Sequence, residues 1–167
     1  MRILLIVLLS VMCARPSIAE PERAASYEVV DKVQQAIALL RDDEEQALEA
    51  LRDPNGEFVW KDTYVFVIDC DADIVISDPV FPERVGGDIK QHGDFAGYSY
   101  GEELCNVARF PVGGWVEYFW VPPDSETPVR KLSYVRSAGG TRYQVGAGVY
   151  DYSITEPRRY RELDGDA

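Results

Sequence analysis

Apolar residues recur every three or four positions in the first third of the chain: Val30, Val33, Ile37, Leu40, Ala47, Leu48 and Leu51. That spacing predicts a helix over residues 26–52 with one apolar stripe. Ser26 is the expected N-cap and Pro54-Asn55-Gly56 the stop. Asp43 followed by Gln46 resembles a capping box, so a kink or restart is expected near Asp42. A stripe of this kind is suited to lying across a sheet, and pairing with a second copy is its alternative use.

After Gly56 the pattern changes to strands. Tyr64–Asp69 is apolar on both faces, Asp69–Asp73 reads as a turn, and Ile74–Asp78 returns as a hairpin partner. The Asp69, Asp71, Asp73 spacing resembles the start of a calcium loop. Ile74 stands where that loop needs glycine and Val80 where it needs glutamate, so a turn is preferred. Pro79–Asp94 is irregular, and Tyr98–Arg109 reads as a short helix with Leu104, Val107 and Ala108 inward. Three runs rich in aromatic and β-branched residues follow: Trp115–Val121, Lys131–Val135 and Val145–Asp151. Proline- and glycine-rich loops separate them, the mark of an antiparallel meander. The meander brings Tyr118, Trp120, Lys131, Tyr134, Tyr143 and Tyr150 into one neighbourhood.

The fold class expected is α+β: a PAS-like antiparallel sheet of five strands, with the long N-terminal helix on one face. The short helix and the loop from Pro79 to Arg109 cover the other face and enclose a cavity.

Residues 1–19 read as a secretory signal: Arg2, an apolar run, and Ser17-Ile18-Ala19 as the small residues before a cut after Ala19. A lipoprotein site at Cys13 is disfavoured by Met12. Cleavage leaves 148 of 167 residues and, because Arg2 and Arg15 depart with no acid, moves the formal charge from −12 to −14. So acidic a body argues against nucleic acid and anionic membranes as partners. No later apolar run is long enough to span a bilayer, so the mature chain is expected to be periplasmic or secreted. Of the three cysteines, Cys70 and Cys105 then remain. An oxidising compartment allows a disulfide between them, and two buried thiols are the alternative.

Lys131 stands in the middle of an aromatic strand, where it needs either solvent or an anionic partner. Tyr118 and Trp120 share a face by the two-residue strand period and suit an apolar yet orienting pocket. Lys131 and Tyr134 are three apart, so a regular strand puts them on opposite faces, and both can line one pocket only across a bulge. Asp94 suits a loop or a helix cap, and Asp78 suits a ligand amine or a pairing with Arg84 or Lys131. The single histidine, His92, excludes a histidine-rich metal site, and no cofactor motif is present. Gly146-Ala147-Gly148 lacks the third glycine of a dinucleotide fingerprint, and those glycines suit close approach within the sheet.

The ordered series Tyr64–Asp69, Asp78-Pro79, Val85–Ile89, Gly93–Gly97, Gly114–Trp120, Lys131–Tyr134 and Val145–Tyr150 resembles the Cache domain, in the second type of single Cache domain. The preceding helix and Asp53–Phe58 resemble the family's N-terminal helix and connector, so the resemblance covers nearly the whole mature chain. It implies residues 20–156 as one sensor domain, with 157–167 as a charged tail. It also implies a pocket for small extracellular molecules, often short organic acids. Most relatives are input domains of receptors or kinases. Asp78-Pro79 departs from the His-Pro of many relatives. The expected contacts are Lys131, Tyr118, Trp120 and Tyr134, with Asp94 and Asp78 at the border. The expected function is ligand binding without enzymatic chemistry, and the alternative is a docking module for a membrane signalling partner with no small ligand.

Overall fold

The computed structural model describes residues 22–91, 93–94, 97–123 and 125–154. The signal segment, His92 and the tail at 157–167 lie outside the described residues.

The amphipathic stretch forms two helices rather than one. Helix α1 is Ser26–Asp42 and α2 is Glu44–Arg52. Asp43 is extended between them; its carboxylate accepts the Gln46 amide at 3.0 Å while its own N–H donates to Leu39 O. A side chain that competes for the backbone ends one helix and starts the next. The first N-cap is Ala25, not Ser26. Its amide is held by the Glu28 carboxylate at 2.8 Å, so the stabilising acid comes from inside the helix.

The strands are β1 (Val59–Trp60), β2 (Thr63–Asp69), β3 (Ile74–Ser77), β4 (Gly114–Trp120), β5 (Val129–Ser137) and β6 (Gln144–Asp151). Their order is β1-β2-β6-β5-β4, with β3 also on the outer side of β2, and every pairing is antiparallel. The two-residue β1 adds a sixth strand to the five expected. Helix α3 (Tyr100–Ala108) starts two residues later than the periodicity suggests.

Period-two alternation divides the sheet into two cores. Val65, Val67, Tyr134, Tyr143, Val145 and Ala147 meet α1 and α2 on one face. Tyr64, Phe66, Ile68, Val116, Tyr118 and Val135 meet α3 and the loop cover on the other. The cover is anchored by backbone hydrogen bonds at β3: Val75 N–H donates to Gly87 O, Gly86 N–H to Val75 O, and Ile89 N–H to Asp73 O just before the strand. Cys70, beyond β2, is joined to Cys105 of α3, with Cα atoms 5.6 Å apart. The bridge ties the β2–β3 hairpin to α3, which forms one wall of the cavity.

Candidate ligand-binding site

On the α3 face, Lys131 in the middle of β5 is paired with Tyr118 of β4 and Tyr150 of β6. Only 1% of its surface is exposed. Its Nζ lies 4.4 Å from the centroid of the Tyr64 ring, 4.9 Å from Tyr150 and 5.7 Å from Phe66. Among the described residues it has no hydrogen bond or ion pair. Burial pulls its pKa down to about 7, against the attraction of Asp78. The three ring faces act the other way and favour the ammonium.

The second cation is Arg84, in the turn Pro82–Arg84 of the cover. It reaches Asp78 at 3.2 Å, donates to the Tyr100 hydroxyl at 2.6 Å, and stacks 4.5 Å over the Trp120 ring. Asp78, 2% exposed, also accepts the amides of Phe81 and Val80. Burial raises its pKa despite Arg84. Tyr118 stacks on Tyr100 at 4.4 Å and shares a hydrogen bond with Ser133, and burial raises the pKa of its phenol. Lys131, Asp78, Arg84, Tyr100, Tyr118 and Trp120 line one cavity, whose free volume is about 10 Å³, the space of one water. With two cations and one carboxylate, it is one anion short of neutrality when Lys131 is protonated.

The glycines of β6 make this floor. A Cβ at Gly148 would sit 2.7 Å from Lys131 Cε and 2.6 Å from Ser133 Oγ, and one at Gly146 would strike the Phe66 ring. The close approach they permit is by side chains of neighbouring strands.

Of the residues singled out from sequence, Lys131, Tyr118, Trp120 and Asp78 come together. Tyr134 does not: β5 pairs without a bulge on both edges, so Tyr134 points to the helix side and donates to Val112 O. Tyr143 is on that side too, where it bonds Glu44. Asp94 is a loop clasp rather than a cavity residue, accepting the amides of Tyr98 and Phe119 at 2.9 Å each. Arg84 appeared in the sequence reading only as a partner for Asp78, and Tyr64 and Tyr100 were not singled out. Their signal was weak: one arginine in a proline-rich loop, a tyrosine in a strand apolar on both faces, and a tyrosine at the start of a short helix.

Solved structures with this architecture include three sensor domains. A methyl-accepting chemotaxis protein from Vibrio parahaemolyticus RIMD 2210633 is 19% identical over 77% of this chain and 89% of its own, with a TM-score of 0.64, and shares the fold. A periplasmic sensor domain of a chemotaxis protein is 28% identical over 72% of this chain and 85% of its own, with a TM-score of 0.58. A Cache chemosensory domain studied for carboxylic acid recognition is 26% identical over 75% of this chain and 92% of its own, with a TM-score of 0.61. The family model described as Single Cache domain 2 matches residues 26–161. The fold, the roofed aromatic cavity and this match agree, and the chain belongs to the Single Cache domain 2 family of sensor domains.

Proposed function

We propose that this chain is an exported sensor domain that binds a short organic carboxylate between Lys131 and Arg84, by recognition rather than turnover. Lys131 carries the reading. A lysine this buried with no anion among the described residues near enough to pair is costly to fold, and a ligand carboxylate removes the cost. Arg84 offers a second contact while Asp78 holds it in place, so the acid at 78 orients a cation and does not simply repel the ligand. The related Cache domain studied for carboxylic acid recognition supports the same ligand class.

The cavity has room for no more than about one water, so the ligand enters by displacing Arg84 of the cover from its place over the Trp120 ring of β4. A membrane receptor or kinase is the proposed recipient of that movement. The same near-filled cavity favours a second reading, a docking module with no small ligand.

A thermal-shift series with acetate, propionate, pyruvate and lactate separates the two. A ligand that binds only the native state raises the melting temperature by mass action. A carboxylate response lost in Lys131→Ala supports the sensor. An amine response that depends on Asp78 reverses the ligand charge, and silence from the whole series supports docking.

A further inference from the structure

We propose that a groove along the open edge of β4 binds a small organic cation, an ammonium or guanidinium group on a short apolar body. The groove is separate from the cavity above and has a free volume of about 420 Å³, within the size range of small-molecule sites. Five consecutive strand residues, 115–119, line it. Successive side chains alternate faces, so such a lining arises only where the groove runs along the strand's edge. β4 pairs with β5 on its other side and is the last strand of the sheet.

The lining selects for a cation. Trp115 and Tyr98, about two-fifths exposed, supply aromatic surface, while Tyr118 and Phe119 line the groove as buried strand residues; among the described residues the charged lining groups are Glu103, Glu117 and Asp94, all acidic. Asp94 is engaged by two backbone amides. Glu103 and Glu117 therefore carry the attraction, with Arg130 reaching Glu117 from β5 at 3.5 Å. Ring faces beside carboxylates attract organic cations and disfavour anions, the reverse of the Lys131 cavity. Trp115 is 40% exposed yet held, its ring 5.5 Å from Tyr134, whose hydroxyl is fixed on Val112 O. Tyr134, absent from the first cavity, thus positions a wall of this one. Tyr118 lines both sites.

The test is calorimetric titration of the full chain at low ionic strength with choline, putrescine and agmatine, and with 3,3-dimethylbutanol as the neutral isostere of choline. The expected result is one-to-one binding of at least one cation, about tenfold weaker for the isostere and in Trp115→Ala or Glu117→Gln. Both positions are exposed, so these variants keep the fold. Lys131→Met is expected to leave cation binding unchanged. This separates the groove from the carboxylate reading, which can fail independently. Silence from all three cations overturns the proposal, as does equal binding of the isostere. Loss of binding in Lys131→Met with retention in Trp115→Ala also overturns it, because the cation would then occupy the other cavity.

Discussion

Gly148 lies directly beneath Lys131: a side-chain carbon at position 148 would come within 2.7 Å of Lys131 Cε. The glycine on β6 is what lets the lysine of β5 lie flat across the sheet beneath Tyr64. Gly148→Ala adds one methyl group, which also crowds Ser133 Oγ, the hydrogen-bond partner of Tyr118. It is expected to destabilise the fold by about 1–3 kcal/mol through overpacking and to displace Nζ from its rings, weakening carboxylate binding in a titration at least as much as it lowers the melting temperature.

The ammonium of Lys131 sets the pH dependence of binding. Its pKa is lowered to about 7 without ligand, and a bound carboxylate raises it. Affinity is therefore full below pH 7 and falls as pH rises above 7, by up to about tenfold per unit, until the pKa of the complex is passed. For stability without ligand the sign is opposite. The folded state gives up this proton at a lower pH than the unfolded chain, so Lys131 makes the fold more stable as pH rises from about 7 towards the ordinary lysine value. Calorimetry and chemical denaturation across pH 6–9 check the two slopes, at the protein concentration and ionic strength of a single buffer series.

Asp78 neutralises Arg84 and keeps the amide acceptor for Phe81 and Val80. Asp78→Asn retains an oxygen for those amides and deletes the charge. The variant also loses the Asp78 attraction that raises the Lys131 pKa, so at a pH low enough to keep Lys131 protonated short carboxylates are expected to bind about tenfold more tightly, the effect of removing one nearby like charge. Weaker binding would mean that the orientation of Arg84 matters more than the local charge.

The Cys70–Cys105 bridge closes a 35-residue separation. The chain-entropy model gives it roughly 4 kcal/mol of stability. It also fixes α3, whose first residue, Tyr100, stacks on Tyr118 and bonds Arg84. The Cys70→Ser, Cys105→Ser double variant is expected to melt well below the parent. It is also expected to lose carboxylate affinity under conditions where both remain folded, as circular dichroism and titration show.

The strands, the two helical covers and the restart at Asp43 were legible because each is local: a period of two, a period of 3.6, or an acid placed to cap. The central lysine was legible too, since an ammonium amid aromatics has few uses. What sequence spacing left open was face and register. Tyr134 belongs with the expected contacts only if a bulge brings it beside Lys131, and β5 has none. Arg84 was legible only as a partner for Asp78, and Tyr100 not at all, because they reach the cavity through a loop and a helix start whose positions depend on long-range contacts with β3 and Cys70.

The most direct measurement is a titration of the full chain with short carboxylates, run in parallel on the parent and on Lys131→Met. Methionine keeps the volume and removes the charge, so the variant is expected to be as stable as the parent or roughly 1–4 kcal/mol more stable. Binding by the parent that falls at least tenfold in this more stable variant is the predicted result. Equal binding by both proteins, or no binding by the parent to any carboxylate tried, would contradict the account.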